Sequence, residues 1–300
     1  MTLIVISGAT ATGKSDLAVN LAKRIGAEIV NADSMQLYRG MDIGTAKISL
    51  GDRQAIVHHL LDVVDVSTDV SVAWYQAAAR VKIDDLLASE TPVIVVGGTG
   101  LYIKSILDDL NFPDTDPEVR AKLTVQAEKI GNDAMHQRLA VLDPAAAVAI
   151  PKENVRRVIR ALEVIEITGK PYTANLPRAD STRYPQAFQF GLTVEREDLG
   201  KRVDSRVDRM FENGLIEEVD VLIAKGLLEG RTARAALGYA QVVALRAGEI
   251  TRVDAISQTK LVTRQYIRRQ ETWFRRDQRI HWLEESSDRL GIIEKAILHT

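Results

Sequence analysis

Residues 8–15 read Gly-Ala-Thr-Ala-Thr-Gly-Lys-Ser, the pattern G-x-x-x-x-G-K-[ST]. The apolar run Leu3-Ile4-Val5-Ile6 precedes it, and the helical spacing Leu17, Leu21, Ile25 follows. Strand, glycine loop and helix start are the context in which such a loop closes around an anion. Backbone N–H groups of Gly8, Ala9, Thr10, Ala11, Thr12 and Gly13 converge on phosphate oxygens, with the positive end of the helix dipole behind them. Lys14 reaches a terminal phosphate, and the Ser15 hydroxyl is a ligand for Mg²⁺. The loop specifies a di- or triphosphate without saying which. It also requires a parallel β-sheet, because its strand must feed a helix that packs back on the sheet.

Composition narrows the class. The chain has 300 residues, 46% of them hydrophobic, enough for a large core or two modest ones. No stretch approaches the ~20 apolar residues of a membrane span. The start directly into a strand is expected to leave no signal peptide. Cys is absent, which excludes disulfides and thiolate metal sites and fits a cytoplasmic protein. Net charge is −2, so any nucleic-acid partner must be met by local clusters.

Strands are expected at 2–7, 28–32 and 92–97, with helices at about 14–25 and 73–89. This alternation predicts an α/β core of the P-loop NTPase-like kind, a parallel sheet with helices on both faces. At Asn111-Phe112-Pro113-Asp114-Thr115-Asp116-Pro117 a turn-rich break starts helical patterns that run to a loop at 175–186. Phe188–Val194 then alternates as a returning strand, and Arg279–Leu283 is a last short one. The expected organisation is a catalytic core of 1–109 and 186–300, interrupted by a mostly helical insertion of 110–185.

A nucleotide hydrolase of this type normally carries a second apolar strand that ends in a carboxylate. Pro92–Val96 ends instead in Gly97-Gly98-Thr99-Gly100. The double glycine suits close approach of backbone to an anion, or simply a tight turn. Asp33, just past Ile29-Val30-Asn31-Ala32, lies where ligands of open α/β sheets bind; it could hold Mg²⁺, act as a general base, or cap a turn.

Asp33-Ser34-Met35-Gln36-Leu37-Tyr38-Arg39-Gly40-Met41-Asp42-Ile43-Gly44-Thr45-Ala46-Lys47 resembles the signature of the bacterial tRNA dimethylallyltransferase (tRNA isopentenyltransferase) family. His58–Asp62, Gly97–Tyr102, Arg160–Val164, Gly238-Tyr239 and Thr263–Phe274 agree in family order. Ala9 stands where the family usually has Pro, and Thr12 where Ser is common; neither removes an N–H from the loop. The resemblance implies transfer of a dimethylallyl group from dimethylallyl diphosphate to N6 of the adenosine just 3′ of the anticodon. That adenosine is tRNA position 37, in tRNAs reading codons that begin with U. It implies Asp33 as the base, with Lys14, Mg²⁺ on Ser15, Thr99 and Arg206 stabilising the departing diphosphate. It also implies that Asp33, Ser34, Met35, Gln36 and Thr99 meet a flipped-out base of the tRNA, that Arg120 contacts the tRNA anticodon stem-loop, and that the protein is a monomer.

The remaining expectations come from helical spacing. In 199–210 the buried stripe is Leu199, Val203, Val207 and Met210, with Arg202, Arg206 and Arg209 on another face. Helix 154–167 buries Val155, Val158, Ile159, Leu162 and Ile165, leaving Arg156, Arg157 and Arg160 as a cationic strip for phosphates. Residues 260–279 hold seven basic residues against two acidic, net +5, interleaved with Tyr266, Trp273 and Phe274. The aromatics are expected in the core and some of the arginines on phosphate. His58 and His59 lack metal-ligand spacing and read as structural or pocket-edge groups. Competing readings are a P-loop small-molecule kinase, an isopentenyltransferase acting on free adenine nucleotides, and a non-catalytic tRNA-binding protein. The missing strand-end carboxylate disfavours the first, the basic strips the second, and the intact loop with Asp33 the third.

Overall fold

The computed structural model describes residues 2–175 and 182–298. In chain order the elements begin β1 (Leu3–Gly8), α1 (Lys14–Ile25), β2 (Glu28–Asn31), β3 (His58–His59), α2 (Val72–Ala88), β4 (Val93–Gly97) and α3 (Gly100–Leu107). There follow α4 (Pro117–Leu142), α5 (Pro144–Ala149) and α6 (Val155–Thr168). The chain ends with β5 (Phe188–Leu192), α7 (Arg196–Glu212), α8 (Leu215–Ala224), α9 (Tyr239–Arg246), α10 (Arg252–Phe274), β6 (His281–Leu283) and α11 (Arg289–Leu298). It divides into two compact units, 1–107 with 184–300, and 108–183. Residues 176–181 of the loop expected at 175–186 lie outside the described residues.

The first unit is built on a six-stranded, all-parallel sheet of order β3-β2-β4-β1-β5-β6. Alternation along β1 makes its two faces. Ile4 and Ile6 point into a layer with Leu17, Leu21 and Ile293 of α1 and α11. Leu3 and Val5 point into the larger layer, which takes Tyr75, Ile106, Val203, Tyr239 and Ile267 from α2, α3, α7, α9 and α10. Each such buried aliphatic side chain contributes about 1.5–3 kcal/mol. The edge strand β3 was not expected; it pairs Ile29 with His58 and Val30 with His59. Its histidines are structural: His59 Nε2 lies 2.5 Å from Glu28 Oε2, and His58 Nδ1 lies 2.9 Å from the Ile56 carbonyl. On α7 the fourth buried residue is Phe211, continuing the four-residue spacing of Leu199, Val203 and Val207, and not Met210, which is half-buried.

The second unit is helical. Asp116 caps α4 by accepting from the N–H groups of Glu118 and Val119, with Pro117 in the first turn. Gly131 (φ 81°) breaks α4. Asp143 ends α4 and caps α5, and Gly169 in the left-handed region ends α6. The core holds Leu123, Met135, Leu139, Ile150, Val158, Ile159 and Leu162, with Val155 and Ile165 only partly buried. Glu163 lies in it with its side chain 0% exposed.

Candidate active site

Strand register assembles the site. Ser7 pairs with Gly97, and Val96 with Asn31, so β1, β4 and β2 end side by side. The loop at 8–15, the turn at 97–100 and Asp33 therefore leave adjacent strands at one edge, on both sides of the point where strand order reverses.

The loop is held by its own side chains. Gly8 (φ 146°) lies against the Leu192 carbonyl, where a Cβ would sit 2.9 Å from the oxygen. Thr12 is buried and its hydroxyl donates to the Ala9 carbonyl at 2.9 Å. Lys14 Nζ donates to the same carbonyl at 2.5 Å. Ala11 takes φ 65°, and Gly13 (φ 85°) is the cap of α1, with Ser15 exposed beyond it. Thr10 is held twice: Arg206 Nη1 donates to its hydroxyl at 2.9 Å, and its N–H donates to Gln270 Oε1 at 3.0 Å. Burial lowers Lys14 from 10.5 to about 8; Asp33 opposes that shift and Arg206 adds to it. Burial also lowers Arg206, and Arg209 one turn along adds to that shift.

Asp33 sits in a turn fixed by Asn31, which accepts from the Asp33 N–H at 3.0 Å and donates to the Asp33 carbonyl at 3.0 Å. Its carboxylate accepts from the Met35 N–H at 2.9 Å. Burial raises the Asp33 pKa, against the pull of that N–H and of Lys14, the Gln36 N–H and Arg206. Three phenol rings feel its charge: Tyr75, Tyr102 and Tyr266. Tyr75 and Tyr102 stack with centroids 3.7 Å apart. Thr99 accepts from the Ser34 N–H at 3.1 Å, with the Ser34 hydroxyl 3.3 Å away, so it stands on the Asp33 side of the site. Met35 packs partly against the core, and Gln36 Nε2 donates to the Thr45 carbonyl at 3.2 Å.

The glycines at 97–100 lie close against neighbouring protein. A Cβ on Gly97 would strike the Ala32 backbone, on Gly98 the Gln270 carboxamide, and on Gly100 the Trp273 indole. They make room for neighbouring protein. Gln270 and Tyr266 are site residues that sequence reasoning missed, although both lie in the matched block Thr263–Phe274. Among the described residues there is no cluster of three His, Asp or Glu able to hold a metal.

The basic residues divide into paired and unpaired sets. Arg120 places Nε and Nη2 on Glu163 Oε2 at 3.1 and 2.8 Å, and Arg160 Nη1 joins at 3.0 Å. Both therefore neutralise a buried carboxylate inside the second unit. Arg156 and Arg157 are exposed. On α10, Lys260 pairs with Asp208 and Arg264 with Asp204 of α7. Arg268, Arg269, Arg275 and Arg276 are exposed and make no ion pair among the described residues. Phe274 is buried as expected, but Trp273 is 43% exposed because only its edge packs, on Gly100.

The model of the IPP transferase family matches residues 36–277. A tRNA dimethylallyltransferase of Streptomyces coelicolor is 56% identical over 94% of this chain and 89% of its own. Among solved structures, the tRNA isopentenylpyrophosphate transferase of Bacillus halodurans superposes with a TM-score of 0.72 at 37% identity, covering 99% of this chain and 96% of that one. A eukaryotic dimethylallyltransferase, described as acting on tRNA, superposes with a TM-score of 0.81 at 27% identity, covering 99% and 77%. With a model spanning most of its length and a relative this similar across nearly all of it, the chain belongs to the IPP transferase family.

Proposed function

We propose that the chain transfers a dimethylallyl group from dimethylallyl diphosphate to N6 of adenosine 37 of tRNA, in tRNAs reading codons that begin with U. One observation carries this reading. A carboxylate whose pKa is raised by burial shares a sheet edge with an anion loop flanked by Lys14 and Arg206. Such a site joins a proton acceptor to a leaving-group grip. The adenine amine attacks the allylic C1, the C1–O bond breaks with its electron pair on diphosphate, and the N6 proton passes to Asp33. Raising the Asp33 pKa makes it a stronger base. Lys14, Arg206 and the loop N–H groups stabilise charge that grows on diphosphate as the bond lengthens.

Ser15, exposed at the first turn of α1, would offer its hydroxyl to a Mg²⁺ ion accompanying the diphosphate. When bound, that ion supplies further charge neutralisation to the leaving group. Ser34, Met35 and Gln36, beside the base, suit contact with the adenine. Arg156 and Arg157, with the outward surfaces of Arg120 and Arg160, suit backbone phosphates, as do Arg268, Arg269, Arg275 and Arg276. Trp273 offers a face for stacking. We read the protein as a cytoplasmic monomer. No helix among the described residues is long and apolar enough to cross a membrane.

The test is mass spectrometry of tRNA nucleosides after incubation with dimethylallyl diphosphate, Mg²⁺ and unmodified tRNA. Dimethylallyladenosine is expected at position 37 of U-reading tRNAs. Its absence, or equal activity on free AMP, refutes the assignment.

A further inference from the structure

Thr10 in the anion loop and Gly98 in the turn beside Asp33 belong to different strands' ends, and one side chain ties them together. Gln270 Oε1 accepts the Thr10 N–H at 3.0 Å, and Gln270 Nε2 donates to the Gly98 carbonyl at 2.8 Å. The residue is 5% exposed and fills the space a Cβ on Gly98 would need. A backbone N–H only donates and a carbonyl only accepts, so this bridge needs one acceptor and one donor on a single head group. A carboxamide supplies both, in one orientation. The flipped orientation would face donor to donor and acceptor to acceptor.

Each tied residue has a further partner in the site. Thr10 receives Arg206 at 2.9 Å. Gly98 precedes Thr99, whose hydroxyl accepts the Ser34 N–H at 3.1 Å, next to Asp33. The linkage thus runs from the arginine beside the anion loop, through Gln270, to the residues beside the base. We propose that Gln270 is a positioning residue that fixes the distance between the diphosphate loop and the base-bearing turn, and so the approach of the nucleophile to C1. It touches neither substrate. This rests on the transfer reaction proposed above. A bond-forming pair must be held within roughly 3–3.5 Å, and a misplacement of about 1 Å can cost about 100-fold in rate.

The test compares wild type, Gln270→Met and Gln270→Glu. Met keeps the volume and loses both hydrogen bonds. Glu keeps the acceptor for Thr10 and loses the donor to Gly98. Measured quantities are kcat, KM for dimethylallyl diphosphate and for tRNA, the Kd of inorganic diphosphate, and the melting temperature. The expected result is a kcat lower by roughly 10–100-fold in both variants, with both KM values and the diphosphate Kd within about threefold of wild type. Unchanged kcat in a folded variant overturns the proposal. So does a loss confined to donor KM and diphosphate Kd, which would make Gln270 part of the anion grip alone. If Gln270→Met does not fold, Gln270→Glu decides by the same criteria. Wild-type protein that transfers nothing refutes the reaction, whereas active wild type with active variants refutes only the role of Gln270.

Discussion

Lys14 gives the site a basic pH limit. With its ammonium buried and one bond to the Ala9 carbonyl, its pKa falls from 10.5 to about 8. Holding the charge there costs the anion-free protein roughly 3 kcal/mol, since each pKa unit is about 1.4 kcal/mol. The lysine is charged below pH 8 and loses its charge as pH rises through that value. Diphosphate needs the charged form and stabilises it. Donor affinity should therefore weaken by about tenfold between pH 7 and pH 9, about 1.4 kcal/mol, with roughly half a proton taken up per diphosphate bound at pH 8. Calorimetric titration of inorganic diphosphate, in two buffers of different ionisation enthalpy, measures both quantities. Diphosphate loses a proton of its own in this range, so the comparison is with Lys14→Arg, whose guanidinium does not titrate. Arg cannot copy the lysine geometry, and its affinity at pH 7 is expected to be lower. The slope carries the test. A Lys14→Arg protein with the same pH limb and the same proton uptake as wild type would refute the argument.

Other perturbations reach the rest of the molecule. Asp33→Asn should lower kcat by about 10²–10⁴-fold with donor KM little changed, and wild-type kcat should fall as pH drops through a value above the ordinary carboxylate 3.8; a pH-independent acid side removes Asp33 as base. Gly97→Ala puts a methyl group on the Ala32 backbone and should cost at least about 3 kcal/mol in a denaturant titration, since neither strand can move alone. Glu163→Ala removes the buried acceptor of Arg120, Arg160 and the Asp116 N–H; a loss of about 1–3 kcal/mol, read as faster hydrogen exchange within 108–183, is expected. Arg268→Ala and Arg276→Ala should each flatten the salt dependence of tRNA affinity by about one counterion, whereas no change in slope would place them away from phosphate.

The parallel sheet was legible because β1, β2 and β4 are apolar runs that close on turn residues, and Asp33 was legible because it follows one of them. Two residues at β3 carry no periodicity, so only pairing with β2 defines it as a strand. Gln270 shows a deeper limit. Nothing in a polar residue among arginines says that its carboxamide reaches residues 260 and 172 positions earlier. Glu163 is similar: a charged residue in a helix reads as solvent-facing until two arginines and the Asp116 N–H are found around it.

The basic segment 260–279 is the instructive intermediate case, because its pairing was present in the sequence as a relation between two helices. Lys260 and Arg264 are four residues apart, as are Asp208 and Asp204 on α7. Antiparallel helices in contact bring such pairs opposite each other, lower number to higher, as observed. Arg279 is taken by Asp277, two residues before it. The apparent excess of +5 then reduces to Arg268 and Arg269 near the end of α10 and Arg275 and Arg276 just beyond it, which flank Gln270 and Trp273 near the 98–100 turn. Charge counted along the chain overstates the free cations of this segment, because the fold pairs three of the seven internally. The residues that could meet a polyanion are those left over after the fold has used its own acids, and they cluster where the helix passes the site.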